Sequence, residues 1–287
     1  MRFRLGDKAY AADARLVMAI VNRTTDSFYD KGATWQDDAA YARVAQVVTE
    51  GADLVDIGGI KAAPGEEVPV EEELRRVVPF VEGLRASFPD LTISVDTYRA
   101  SVADAVLTAG ADVINDAWGG ADPEVPDVVA QHNAALVMTH TGGQVVRTRP
   151  HRVEYDDVVR SVIASLAGQV ERALAAGVDR ERLVIDPAHD FGKNTWHSLE
   201  CTRRLDELVA LGWPVLVSLS NKDFVGESLG REVGERLSGT LAATAVSAWK
   251  GAHIYRVHEV RETRDVLDMV SVIAGDLPPL RTTRGLA

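Results

Sequence analysis

Residues 109–116 read Ala109-Gly110-Ala111-Asp112-Val113-Ile114-Asn115-Asp116. A glycine stop ends a helical pattern, a short β-branched run follows, and that run finishes on polar side chains. The same grammar governs Glu50-Gly51-Ala52-Asp53-Leu54-Val55-Asp56-Ile57-Gly58-Gly59, and its opening returns at Ala176-Gly177-Val178-Asp179. Eight such apolar runs punctuate the chain: Leu16–Val21, Asp53–Ile57, Thr92–Val95, Asp112–Ile114, Ala135–Met138, Leu183–Ile185, Pro214–Leu219 and Ala252–Val257. They show little polar alternation, which suits strands buried on both faces of a parallel sheet.

Helical patterns follow the runs at Gln36–Glu50, Glu71–Ser87, Ala100–Ala109, Pro123–Gln131, Glu154–Ala176, Ser198–Ala210, Glu232–Lys250 and Val260–Ala274. Ala39, Ala40, Val44 and Val47 make one apolar stripe; Val158, Val162, Leu166, Val170 and Leu174 make another. Strict alternation implies βα units in one parallel sheet, and eight even repeats favour an α/β fold closed into a (β/α)₈ barrel over an open sheet. Residues 1–13 form a short strand pair ahead of it. No Ser/Gly linker, charge block or low-complexity tract divides residues 1–287, so a single domain is expected.

Composition narrows the function. The chain has 287 residues, 46% hydrophobic, with 31 basic and 43 acidic side chains for a net charge of −12. That balance argues against a nucleic-acid or anionic-membrane partner. One cysteine, Cys201, excludes an intrachain disulfide and fits a reducing compartment. The first residues lack the apolar core of a signal peptide and no run approaches the roughly 20 apolar residues of a membrane span. A cytoplasmic location is expected.

Barrel active sites lie at the C-terminal ends of the strands. Read in order, the positions there are Asn22; Asp56 and Gly58-Gly59; Asp96; Asn115-Asp116; His140; Asp186; Ser220-Asn221-Lys222; and Arg256 with His258. Asp96, Asn115 and Asp186 together suit a flat heterocycle with an amidine-like edge, because a carboxylate accepts two parallel N–H bonds. Lys222, Arg256 and His258 follow the seventh and eighth strands, where barrels often hold a phosphate. Blander readings stand beside these. Asp96 and Asp186 can cap turns, His258 can be an ordinary rim histidine, and Arg256 can pair with Glu227 or Glu259 as a surface ion pair. Nothing reads as a zinc site, a P-loop or a nucleophile elbow, and Cys201 sits in a helical pattern.

From Met18 to about Val270 the chain resembles dihydropteroate synthase, the folate-pathway barrel that joins a pterin pyrophosphate to p-aminobenzoate. The resemblance is carried by Ile-Val-Asn-Arg-Thr-Thr-Asp-Ser-Phe (20–28), Gly-Ala-Asp-Leu-Val-Asp-Ile-Gly-Gly (51–59) and Ile-Ser-Val-Asp-Thr-Tyr (93–98). Ala-Gly-Ala-Asp-Val-Ile-Asn-Asp (109–116), Asp-Pro (186–187), Phe-Gly-Lys (191–193) and Ile-Tyr-Arg-Val-His-Glu-Val (254–260) complete it. It implies that Asp96, Asn115, Asp186 and Lys222 hold the pterin with Arg256 flanking the ring. It places Arg256, His258 and Asn22 on the pyrophosphate, Asn22 through Mg²⁺, and makes Lys222, Arg256 and His258 the catalytic cations. The implied chemistry is displacement of pyrophosphate from the pterin methylene carbon by an arylamine, which needs a stabilised leaving group. The family also implies a homodimer through the last helices, where Leu241, Val246, Trp249, Val266, Leu267 and Val270 offer apolar surface.

The departures cluster. The family's Asn-Val-Thr-Pro-Asp-Ser-Phe has Arg23 and Thr25 in place of Val and Pro. Its Gly-Gly-Glu-Ser-Thr-Arg-Pro-Gly becomes Gly58-Gly59-Ile60-Lys61-Ala62-Ala63-Pro64-Gly65. Ser-Arg-Lys-Ser-Phe becomes Ser220-Asn221-Lys222-Asp223-Phe224, and the glycine-rich stretch after the sixth strand becomes Asp186-Pro187-Ala188-His189-Asp190-Phe191-Gly192-Lys193. Asp223 sets a carboxylate where the family's serine helps receive the aminobenzoate carboxylate, a repulsion of about 1 kcal/mol or more. A diverged homologue with weak or absent synthase activity is therefore expected. A compensated full synthase, a transferase using another amine, and a non-catalytic pterin binder remain as alternatives.

Overall fold

The computed structural model describes residues 2–23, 37–60, 65–148 and 154–284. A hairpin opens the chain, β1 (Phe3–Leu5) pairing antiparallel with β2 (Lys8–Tyr10), as expected for residues 1–13. The barrel units are β3 (Leu16–Asn22) with α1 (Asp37–Thr49), β4 (Leu54–Gly58) with α2 (Val70–Ser87), and β5 (Thr92–Asp96) with α3 (Ala100–Thr108). They continue with β6 (Val113–Asp116) and α4 (Val125–Gln131), β7 (Ala135–Thr139) and α5 (Val158–Ala175), then β8 (Leu183–Asp186) followed by α6 (Thr195–Arg203) and α7 (Leu205–Val209). Last come β9 (Leu216–Val217) with α8 (Asp223–Leu229) and α9 (Leu237–Trp249), and β10 (Ile254–Val257) with α10 (Val260–Ala274). Eight parallel strands run in the order β8-β7-β6-β5-β4-β3-β10-β9, and a bridge between Ile185 and Val215 brings the two ends together. The expected (β/α)₈ barrel is the observed architecture.

Side-chain alternation along the strands explains how the site is built. Val17, Ala19 and Val21, with Val55, Ile57, Ile93 and Val95, point outward and pack with Val44, Val77, Val162 and Leu166 of the helices. Leu16, Met18, Leu54, Val113, Val137, Val184, Leu216 and Ile254 point inward and fill the lower barrel, with Phe3 and Leu5 of β1 packed against them. Continuing the inward parity upward gives Asn22, Asp56, Asp96, Asn115, Asp186, Ser220, Arg256 and His258. One periodicity thus lays an apolar plug beneath a polar mouth.

Several boundaries differ from expectation for identifiable reasons. The expected strand Pro214–Leu219 shrinks to Leu216–Val217: Pro214 has no N–H for a ladder, although its carbonyl accepts from Ile185 N at 3.0 Å. The expected helix Ser198–Ala210 breaks at Arg204, whose guanidinium is drawn to Asp157 at 3.0 Å and Glu207 at 2.6 Å. Helix α5 starts at Val158 rather than Glu154 because Asp157 caps it, accepting from Arg160 N at 3.0 Å. Ala39 and Leu174 are exposed, so each expected apolar stripe is one residue narrower. Leu267 and Val270, read as dimer surface, are buried against the barrel, while Val246, Trp249, Met269 and Ile273 are exposed. No helix among the described residues is long and apolar enough to cross a membrane.

Candidate functional site

Asn22, Asp96, Asn115, Asp186, Lys222, Arg256 and His258 all line one cavity at the C-terminal mouth, of about 860 Å³ counting its open end. The structure brings every expected site residue together. Ile20, Ala188 and Phe191 supply apolar wall between them. The Lys222 ammonium lies 4.6 Å from the centre of the Phe191 ring, and Trp118 meets that ring edge-on at 5.7 Å.

Arg256 decides among the readings of the rim. Its Nε donates to Asp56 Oδ2 at 2.6 Å and an Nη to Asp96 Oδ2 at 3.1 Å. The surface pairing with Glu227 or Glu259 does not occur; Glu227 takes the Thr195 hydroxyl, and Glu259 takes Ser220 and Asn221. Asp56 carried no role in the sequence reading, yet it is fully buried and anchors the floor. Ser94 Oγ donates to it at 2.6 Å and Asn115 Nδ2 at 3.1 Å. Inward parity on β4 is the signal that marks it.

Two carboxylates face the cavity with shifted acidity. Burial raises the Asp96 pKa, partly offset by the Arg256 charge. Burial also pushes Asp186 up to about 6, against the opposing pull of the Ala188 N–H and the Lys222 charge. Asp186 does cap a turn, accepting from Ala188 N at 2.7 Å through Oδ1, and still lines the cavity. His258 is lowered to about 3 by burial, then by Arg256, Arg43 and Lys222. Burial lowers Lys222 as well, while Asp190 works in the opposite direction.

Other rim positions prove structural. Asp116 accepts from Trp118 N at 3.0 Å and Gly120 N at 2.8 Å, shaping its own turn. His140 Nδ1 lies 2.8 Å from Lys193 Nζ, which also donates to three backbone carbonyls. That lysine ties down the loop after β8, where Ala188, Asp190 and Gly192 adopt φ of 52°, 69° and 56°. At Gly192 a Cβ would sit 2.1 Å from Thr141 O, so the left-handed turn there demands glycine.

Thr25 and the 24–28 segment, with Lys61, Ala62, Ala63 and Pro64, lie outside the described residues. Arg23 is buried with its guanidinium 4.6 Å from the Phe80 ring and is not part of the cavity wall. It packs on α2, where an aromatic face satisfies a cation away from water. Asp223 is not the bare carboxylate expected, since Arg236 pairs with it at 2.9 Å. The unexpected acid is Asp190. Its Oδ2 accepts the N–H of Asp223 at 2.7 Å and of Phe224 at 3.3 Å, and its Oδ1 accepts from Ser198 Oγ at 3.0 Å.

The fold and site define a (β/α)₈ barrel protein whose mouth holds a cavity lined by the carboxylates of Asp96 and Asp186 and the cations of Lys222 and Arg256. The family described as "Pterin binding enzyme" matches residues 18–258. The chain belongs to the dihydropteroate synthase family. It is 57% identical to a Mycobacterium leprae protein named inactive dihydropteroate synthase 2, over 100% of both chains. To the protein of that name in Mycobacterium tuberculosis strain H37Rv it is 58% identical, over 96% of this chain and 88% of the relative. It is 40% identical to Xanthomonas albilineans dihydropteroate synthase, solved with 4-aminobenzoic acid, with a TM-score of 0.87 over 95% of this chain and 98% of that one.

Proposed function

We propose that this chain is a dihydropteroate synthase homologue that keeps the pterin pyrophosphate site and has weak or absent activity with p-aminobenzoate. Asp96, Asn115 and Asp186 accept and donate along the pterin edge, Lys222 and Arg256 bracket the ring, and Arg256, His258 and Asn22 meet the pyrophosphate. One observation carries the loss of activity: Asp190 already occupies the amides of Asp223 and Phe224 beside Lys222. The resemblance brings the acceptor's carboxylate to this place, and here an internal carboxylate stands in its stead. The names of the mycobacterial relatives support the same reading.

Mg²⁺ fits this site in a limited way. Among the described residues no group of three His, Cys, Asp or Glu side chains is placed to hold a metal ion. Mg²⁺ commonly keeps water and substrate phosphate oxygens as ligands, so the single amide oxygen of Asn22 suits an ion carried mainly by pyrophosphate. Bound there, it would neutralise charge on the leaving group. A homodimer through exposed Val246, Trp249, Met269 and Ile273 and a cytoplasmic location belong to the same proposal.

The deciding assay supplies 6-hydroxymethyl-dihydropterin pyrophosphate, Mg²⁺ and p-aminobenzoate and follows pyrophosphate and dihydropteroate. Little or no turnover is expected, with clear calorimetric binding of the pterin pyrophosphate alone. Robust turnover refutes the proposed inactivity, and absence of binding refutes the retained pocket.

Pterin affinity is also expected to depend on pH. Asp186 must be ionised to accept two parallel N–H bonds, and burial pushes its pKa up to about 6. Affinity should fall toward about tenfold per pH unit below that value, because binding then requires loss of a proton, and the raised pKa of Asp96 makes the decline begin at higher pH. Titration with a dihydropterin between neutral pH and pH 5 checks this; Asp186→Asn should weaken binding and leave only the shallower slope contributed by Asp96.

A further inference from the structure

Thr139 is the last residue of β7. Parity turns it into the barrel above Ala135 and Val137, and it lines the cavity with only 3% of its surface exposed. Gln169 Nε2 of α5 donates to its carbonyl at 3.0 Å and pins the strand end. The hydroxyl, by contrast, makes no hydrogen bond to any protein group. Among the described residues of the cavity wall it is the one buried side-chain oxygen in that condition.

Burying a hydroxyl without a partner costs stability, because the hydrogen bonds it made to water are not replaced. Nothing in the barrel's packing asks for it. Valine has the same branched shape and strand preference and carries no polar atom to satisfy. The surroundings do offer a use. Strand order β8-β7-β6 puts β7 between Asp186 and Asn115. Thr139 is in register with Asp186, while Asn115 is level with Val137, one inward step lower. A ring edge that reaches from the Asp186 carboxylate to the Asn115 amide therefore crosses β7 between Val137 and Thr139, and Thr139 is the polar side chain of that pair. Ionised Asp186 can only accept, and Asn115 Nδ2 is engaged by Asp56 at 3.1 Å. A hydroxyl both gives and takes, which matches an edge where N–H groups alternate with ring nitrogens.

We propose that Thr139 is a ring-binding, specificity-determining residue, its hydroxyl held for the nitrogen-rich edge of a heterocycle gripped between Asp186 and Asn115. The inference rests on the reading of this cavity as a pterin site. In the structure the oxygen is covered by protein. A turn of about 120° around Cα–Cβ, between staggered positions open to threonine, presents it to the ring.

Thr139→Val tests this with two readouts of opposite sign. The melting temperature of the whole protein should rise by about 2–4 °C, because an unpartnered hydroxyl is gone. Calorimetric affinity for a dihydropterin should fall by about five- to tenfold, because a ring contact is gone with it. Thr139→Ser keeps the hydroxyl and should keep most of the affinity. A lower melting temperature in Thr139→Val overturns the proposal, since the hydroxyl would then already serve the fold. An affinity loss as large in Thr139→Ser assigns the effect to the methyl group and overturns it as well. Equal binding by wild type and Thr139→Val sinks this contact alone, whereas a wild type that binds no dihydropterin sinks the pterin reading and the contact together.

Discussion

Arg99→Met should lower the stability of this protein by about 3–5 kcal/mol, the cost typical of stranding one partner of a buried ion pair. Arg99 donates to Glu73 Oε2 at 2.8 Å and to the Val68 carbonyl at 2.7 Å. Glu73, on α2, has only 1% of its side chain exposed. Its pKa is raised by burial, with Thr97 and Arg99 opposing the shift. Removing the guanidinium leaves a buried carboxylate without its ion-pair partner, held only by Thr97 and the charge of Arg76. At roughly 2–4 °C per kcal/mol for a large domain, the melting temperature should drop on the order of 10 °C, measured by circular dichroism.

The pH dependence of that loss has a definite sign. A carboxyl whose folded pKa lies above its unfolded value of about 4.3 favours folding below that value and loses the benefit as pH rises through the folded pKa. Arg99→Met raises the folded pKa of Glu73 further, so the gap from wild type should be widest at neutral pH and narrow in acid. Adding Glu73→Gln removes the stranded charge and should recover much of the lost stability. A gap that is constant with pH, or a double variant no better than Arg99→Met, would mean the pair contributes packing alone. The pair also supports the site, since Gly59 packs on α2: a Cβ there would meet Val77 Cγ1 at 2.6 Å and Glu73 Cγ at 3.4 Å.

Why was so much of this barrel legible beforehand? Its two signals are periodic and local. Glycine stops and β-branched runs mark each βα unit, and parity along a strand decides which side chains reach the mouth. Asp96, Asn115, Asp186 and Arg256 each sit on an inward position of their strand, so knowing the strand was enough to place them. Asp56 obeys the same parity but touches the cavity only through Arg256 and Asn115, and a list of strand ends does not show such a connection.

The charge balance around Asp223 was not legible at all. Its partner Arg236 lies 13 residues onward, after α8 and the turn that follows it, and no periodicity ties the two together. The stripe on α10 failed for a related reason. Leu267 and Val270 face the barrel and Met269 and Ile273 face outward, a rotation that composition alone does not fix. In the sequence Asp190 is only a change in a glycine-rich stretch; its meaning depends on a left-handed backbone and on amides 33 and 34 positions away.

Asp190→Gly should raise affinity and turnover with a carboxylated acceptor. At φ 69° the backbone already stands where glycine is at ease, so this substitution removes a side chain without asking the loop to move. It forfeits the bonds to Ser198 Oγ and to two amides, a cap-sized loss of about 1 kcal/mol, offset in part by relief of the left-handed residue. What it opens is a pair of N–H donors beside Lys222, with a like charge removed. One charge-assisted hydrogen bond contributes about 1.5–3 kcal/mol, so p-aminobenzoate affinity in the presence of pterin pyrophosphate should rise at least tenfold. Pyrophosphate release should rise with it, and further when Asp223→Ser is added. The neutral analogue 4-aminobenzamide supplies the control. It has the same nucleophile and no anion, so its rate should change little in either variant. If both amines gain equally, Asp190 obstructs by bulk and the electrostatic account is wrong; if neither gains, the block lies elsewhere.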